Sequence, residues 1–247
     1  MNKVFCIFRK QSSNPDKFRF SGNGFFIDNN GTFITAGHVF RENGERYIGF
    51  YEENEDIELT PLNNEKCKAI HRKIYNDQNY LRNDIRLRTE FQCAPEHKDV
   101  AIGKIDIHNT EFLSLIRKRP YEWDKLSVSF YCRDQNLTEM ETELINGKIP
   151  NSFVKSYNVT FTFKDTRLHL AEIPYLVKSE DRLNYYNNCM LLNGDGKTYR
   201  GSSGSPIINQ RGQVAGIVIG GDRYLPIATM LLARYVIKKS KKLIKLL

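Results

Sequence analysis

Gly201-Ser202-Ser203-Gly204-Ser205-Pro206 separates a strand–turn–helix arrangement from an all-strand one. Its two glycines give the backbone turn conformations that residues with a Cβ avoid. Pro206 prevents a helix from starting there, and the residue two after Ser203 is Ser205, so the G-x-S-x-G elbow between a strand and a helix does not fit. The residues downstream read as strand instead: Pro206 to Ile208 and Val214 to Ile219 are short apolar runs between polar turns.

The same punctuation recurs upstream. Phe25 to Thr35 reads as two short strands around an Asn30-Gly31 turn, because Asn and Gly accept the positive φ that a tight hairpin requires. Ile48 to Tyr51, Val100 to Ile107, Leu126 to Cys132, Val159 to Phe163, Arg167 to Leu170 and Met190 to Leu192 are further strand-like runs. Many short strands with few long helical patterns predict an all-β barrel or sandwich architecture. Two stretches have helical character: Phe112 to Arg119, just before Pro120, and Thr229 to Leu246. A boundary between two lobes is predicted near Arg117 to Asp124.

Composition bounds the function. The chain has 247 residues with 40% apolar and 12% aromatic content and no low-complexity tract, which predicts a folded protein with a real core. Six of its 37 basic residues fall between Arg234 and Leu247, so the remainder, 31 basic against 29 acidic, is nearly neutral. That balance argues against a nucleic-acid groove and leaves a concentrated field only in the tail. The N-terminal apolar run, Val4 to Phe8, is too short for a signal-peptide core or a membrane span, so a cytoplasmic location is expected. Five cysteines without a C-x-x-C pair fit neither a disulfide framework nor a zinc site and read as reduced core residues.

Three motifs stand in order: Thr35-Ala36-Gly37-His38, Lys98-Asp99-Val100-Ala101-Ile102, and the serine-glycine stretch above. Each alone has an ordinary reading as a partly buried histidine, a turn aspartate and a loop. Together they supply what acyl transfer to water needs. A serine hydroxyl is a weak nucleophile until a base takes its proton, and that base must be held in one tautomer by a third group. Ser203, His38 and Asp99 fill these roles, and Gly201 permits a turn that aims the N–H groups of Gly201 and Ser203 at one developing oxyanion. Asp84, in Asn83-Asp84-Ile85-Arg86-Leu87, competes with Asp99 for the carboxylate role. Asp99 is preferred because Val100-Ala101-Ile102 is the better buried strand. His71, His97, His108 and His169 have no partner pattern and read as surface residues.

At these residues the sequence resembles the trypsin-like serine proteases of the chymotrypsin fold, in particular a bacterial-type intracellular member. That family's signatures are T-A-x-H, D-[IV]-A-[IVL] and G-D-S-G-G-P. Ser21-Gly22-Asn23-Gly24-Phe25 is similar to the small-residue strand of its bacterial members, and Gly212 to Ile217 to the hairpin after the nucleophile. The resemblance implies two antiparallel six-stranded β-barrels, residues 1–118 carrying His38 and Asp99 and residues 119–247 carrying Ser203 and a basic helix at about 229–246. It implies a serine endopeptidase without a cofactor, acting on a protein or peptide substrate. A regulatory partner protein or a narrow sequence preference would have to restrain it. The position six before the nucleophile, Lys197, followed by Thr198, then lies at the base of the specificity pocket, with Ile219, Gly220 and Gly221 on its opposite wall. A cation there predicts that cleavage does not follow Lys or Arg.

Two departures from the family carry consequences. Ser202 stands where digestive members carry an Asp that pairs with a newly released N-terminus, so activation by such a cleavage is not expected. Ser205 replaces a glycine. Of competing motifs, Gly194 to Thr198 ends like a phosphate-binding loop, but Leu191 occupies the place of its first glycine and no clear helix comes after it. No pattern suggests a metal. Two other readings stay open: a catalytically inactive module of the same fold that binds a partner peptide, and a protein whose basic tail binds a membrane or nucleic acid.

Overall fold

Asp28 fixes the first hairpin. Its carboxylate Oδ1 accepts from the N–H groups of Asn30 and Thr32 at 2.9 and 3.0 Å, and Gly31 completes the turn at φ +77°. A side chain at Gly31 would collide with the carbonyl of Ile105 at 2.0 Å, so the glycine is required by space as well as by φ. The computed structural model describes residues 3–11, 14–40, 44–63, 67–70, 99–107, 111–164, 189–194, 201–221 and 227–244.

The strands up to the middle of the chain are β1 (Val4–Lys10), β2 (Lys17–Phe26), β3 (Thr32–Thr35), β4 (Arg46–Gly49), β5 (Leu59–Leu62), β6 (Cys67–Ile70) and β7 (Val100–Lys104). They pair in the order β5-β4-β1-β2-β3-β7-β6. After β8 (Lys125–Arg133), the short β9 (Thr142–Glu143) returns to pair with β2 and makes this sheet eight-stranded. The remaining strands are β10 (Val154–Lys164), β11 (Cys189–Gly194), β12 (Pro206–Ile208), β13 (Val214–Gly221) and β14 (Ile227–Leu232). With β8 they close a six-stranded barrel, β10-β11-β14-β13-β12-β8, before the chain ends in helix α1 (Ala233–Ile244). The protein is thus all-β, two antiparallel sheets and a terminal helix.

Burial along β2 explains how the sheets meet. Its first half alternates between buried and half-buried positions, as a strand with one covered face does, while everything from Gly22 onward is buried. That second half lies where the two sheets face each other. The cores interdigitate accordingly: Phe8, Phe18 and Phe20 of the first sheet pack with Phe130, Phe161 and Phe163 of the barrel. A second cluster joins Phe5, Phe25 and Phe33 to Val214, Ile217 and Leu231.

The expected terminal helix is present with a later start, and the other helical expectation is overturned. Residues 112–119 form an extended strap, because their backbone groups bond to both sheets: Leu113 N–H donates to Phe26 O, Val214 N–H to Ser114 O and Ile116 N–H to Val214 O. The terminal helix begins at Ala233 instead of 229, since residues 227–232 are taken up as β14 by pairing with β11 and β13. Leu231 and Leu232 therefore belong to that strand. The predicted strand Arg167 to Leu170, and His71, His97, His108 and His169, lie outside the described residues.

Helix α1 lies against β7 and β13, with Val236 fully buried beside Leu113 and Ile219 while Lys238 and Lys241 face outward. Val236→Ala is expected to cost about 2 kcal/mol of stability through the cavity it leaves, and Lys241→Ala less than about 0.5 kcal/mol. Paired chemical unfolding curves check this, and equal effects of the two substitutions would contradict docking through Val236. No described helix is long and apolar enough to cross a membrane.

Candidate active site

Strand pairing sets the first two residues side by side. Thr35 at the end of β3 faces Ala101 of β7, so the chain continues past Thr35 to His38 while β7, read backwards, leads to Asp99. Gly37–Phe40 forms one 3-10 turn that carries His38. Asp99 grips it twice: Oδ1 accepts from the backbone N–H of His38 and Oδ2 contacts its Nδ1, both at 2.7 Å. A carboxylate only accepts, so Nδ1 carries the proton and Nε2 is left as the acceptor. The Asp99 side chain is 12% exposed and that of His38 36%, so the carboxylate is shielded and the imidazole remains reachable. Buried Arg46 braces the turn, its Nε donating to Val39 O at 3.3 Å and its guanidinium lying 4.7 Å from the centre of the Phe40 ring.

The serine loop docks on this turn. Gly201 and Gly204 have φ of +110° and +84°. A side chain at Gly204 would begin 2.2 Å from Thr35 Oγ1 and 3.1 Å from Ala36 N, so the loop rests against the residues that lead into His38. Gly22 makes the same point from below: its absent Cβ would lie 2.8 Å from both Ser203 O and a methyl of Val39. Only two bare backbones let serine loop and histidine turn approach this closely. Asn23 N–H donates to Ser203 O at 2.8 Å, Gly204 N–H to Val218 O at 2.8 Å, and Ser205 Oγ to Ser202 O at 2.6 Å. Ser202 is buried, whereas Ser203 is half-buried.

The structure thus brings His38, Asp99 and the backbone of Ser203 to one junction between the sheets. The hydroxyl of Ser203 is not engaged by any described residue, and no described group accepts from the N–H of Gly201 or Ser203. Ile219 points into the core at 2% exposure, so a substrate beside it would meet its backbone and not its side chain. Gly220 and Gly221 end β13, paired on one side with Thr229 and Ala228. Asp84, Lys197, Thr198 and the phosphate-loop-like end of residues 194–198 from 195 onward lie outside the described residues.

Cys132 packs behind the loop, its Cβ 3.3 Å from where a Gly201 side chain would start, and burial pushes its thiol up to about 12. The thiol of Cys6 is likewise raised, by burial first and by Cys132 second. Both remain protonated near neutrality, so neither supplies a thiolate beside the loop. The residue that sequence reasoning passed over is Asn23, which it took as part of a small-residue strand. The sequence offers only a weak local hint, a polar amide between two glycines in an otherwise apolar strand end.

Comparison with solved structures finds this fold repeatedly. The scabies mite inactivated protease paralogue S-D1 superposes with a TM-score of 0.62 at 14% identity, over 98% of this chain and 92% of that one. Neuropsin, a serine protease of mouse brain, gives 0.59 at 14%, over 98% and 94%. The serine endoprotease from Yersinia pestis gives 0.54 at 14%, over 98% and 63%. Comparison with curated protein sequences returns no match. The family model of the trypsin-like peptidase domain matches residues 22–217, which begins one residue before Asn23 and encloses His38, Asp99 and the serine loop. The chain belongs to the trypsin-like peptidase family.

Proposed function

We propose that the protein is a serine endopeptidase in which Ser203 is the nucleophile, His38 the general base and Asp99 the orienting carboxylate. The observation that carries this reading is the double grip of Asp99 on His38, both contacts at 2.7 Å, at the point where the Ser203 loop docks. Nε2 takes the Ser203 proton as Oγ attacks the scissile carbonyl, and returns it to the leaving amine. The N–H groups of Gly201 and Ser203 stabilise the oxyanion, and water then hydrolyses the acyl-enzyme by the same steps. No cofactor takes part. We assign His38 and Asp99 to a lobe of residues 1–118 and Ser203 to one of 119–247, with the cleft between them.

Backbone pairing suggests how a substrate binds. On one edge β13 pairs with β12 only as far as Ile217, and Val218 reaches back to Ser205 and Gly204. Beyond the bulge after Val218, residues 219–221 have that edge uncovered by any described strand. An extended peptide placed there gains strand hydrogen bonds and runs toward Ser203. A pocket between Gly220, Gly221 and the segment of Lys197 and Thr198 would then receive the side chain before the cleaved bond.

The inactive-module reading has one observation in its favour, that no described residue engages the Ser203 hydroxyl. It is outweighed because nucleophile–base hydrogen bonds are often long without substrate, while an inactive module has no use for a shielded carboxylate gripping a reachable histidine. Profiling against a peptide library tests the proposal. Hydrolysis is expected, with cleavage not following Lys or Arg. Intact peptides throughout would contradict the peptidase, and cleavage chiefly after Lys or Arg would contradict the role of Lys197.

A further inference from the structure

We infer that Asn23 is a positioning residue that holds the oxyanion-binding backbone of the serine loop in place from the opposite sheet, an inference that rests on the peptidase reading above. Asn23 is fully buried in β2. Its Nδ2 donates to Gly201 O at 2.8 Å and to Tyr131 O at 2.9 Å, and its Oδ1 accepts from Tyr131 N–H at 2.8 Å. Its own backbone N–H holds Ser203 O at 2.8 Å, and its carbonyl accepts from Thr35 Oγ1 at 2.5 Å. One residue therefore touches both ends of the Gly201–Ser203 segment, the strand leading to His38, and β8 of the barrel.

The side-chain amide does the work of a missing strand. β12 pairs with β8 only at Val128 and Ser127, so Tyr131, further along β8, has no β12 residue opposite it. Asn23 presents an acceptor and a donor to the N–H and C=O of Tyr131, as a neighbouring peptide unit would. The second Nδ2 proton is then aimed at Gly201 O. Such a contact is not needed to satisfy β8. Its effect falls on Gly201, which lacks a side chain, has φ +110° and is otherwise seated on the Phe20 ring and Cys132. Anchoring its carbonyl fixes the orientation of a residue whose N–H is one of the two oxyanion donors. The loop needs such an anchor from within, because Ser202 carries no charge to be clamped by an ion pair.

An interaction of this type acts on the transition state and leaves ground-state binding alone. For Asn23→Ala, kcat per folded, fluorophosphonate-titrated site is expected to fall about 10- to 100-fold, with KM within about twofold. A peptide boronic acid, which forms a tetrahedral adduct at the serine, should weaken by the same factor as kcat. Asn23→Ser keeps both backbone hydrogen bonds of residue 23 and adds no buried charge; it carries the test with the same expected direction if the alanine variant does not fold. Wild-type kcat and boronate affinity in a folded variant would overturn the inference while leaving the peptidase reading intact. So would a loss confined to the amount of titratable protein, which is what a purely structural role gives. A wild-type chain that neither hydrolyses peptides nor is labelled at Ser203 would overturn the peptidase reading, and this inference with it.

Discussion

Ser203→Ala is expected to abolish peptide hydrolysis, lowering kcat/KM by roughly 10⁴- to 10⁶-fold, with the thermal unfolding midpoint unchanged. The fold should survive because the loop is held by backbone groups: Ser203 contributes its carbonyl to Asn23 N–H, and the neighbouring turn depends on Ser205 and Gly204. The lost hydroxyl is not engaged by any described residue. His38→Ala should lose a similar factor, and the double substitution little more than either alone, because a nucleophile without its base and a base without its nucleophile are equally idle. Steady-state kinetics on one peptide for all three variants checks this. Additive losses would mean that the two residues act separately.

Asp99→Asn should cost about 10³- to 10⁴-fold in kcat, far more than Asp84→Asn, with the fold retained. The reason lies in the two contacts of its carboxylate. Oδ1 must accept from the His38 backbone N–H, so the oxygen of an asparagine would remain there and its NH₂ would turn toward Nδ1. Nδ1 would then have to accept, which moves the ring proton to Nε2 and leaves nothing to take the proton of Ser203. The effect is one of tautomer, so it should ease only at pH values where hydroxide replaces the missing base. Side-by-side pH–rate profiles of the two variants measure it. A larger loss in Asp84→Asn would transfer the carboxylate role to that residue.

How far the sequence was legible depended on whether each signal was local. The Asn30-Gly31 turn was readable because one positive φ, at Gly31, closes it, whereas the capping by Asp28 was not part of that reading. The three-motif order was readable because each motif adjoins a strand, the first at the end of β3 and the other two at the starts of β7 and β12, and long-range pairing then aligns the first two, as Thr35 with Ala101. β1 escaped notice: Phe5 to Phe8 are all buried between β2 and β4, so the alternation that marks a strand is absent. Phe112 to Arg119 has apolar residues at spacings a helix tolerates, but partners on Phe26 and Val214 draw it out straight. Asn23 was the costliest omission, since its function comes from Tyr131 and Gly201, residues 108 and 178 positions away. No window of sequence contains that relation.

Labelling with a fluorophosphonate, with the adduct then mapped by mass spectrometry, probes the assignment of Ser203, His38 and Asp99 in a single reaction. The reagent phosphonylates a serine oxygen with loss of fluoride, and it needs the nucleophile, the base and the oxyanion donors together. A single adduct on Ser203 is expected in the wild-type protein, slowed severely in His38→Ala and Asp99→Asn and absent in Ser203→Ala. An unlabelled wild-type chain, or an adduct on any other serine, would refute the triad.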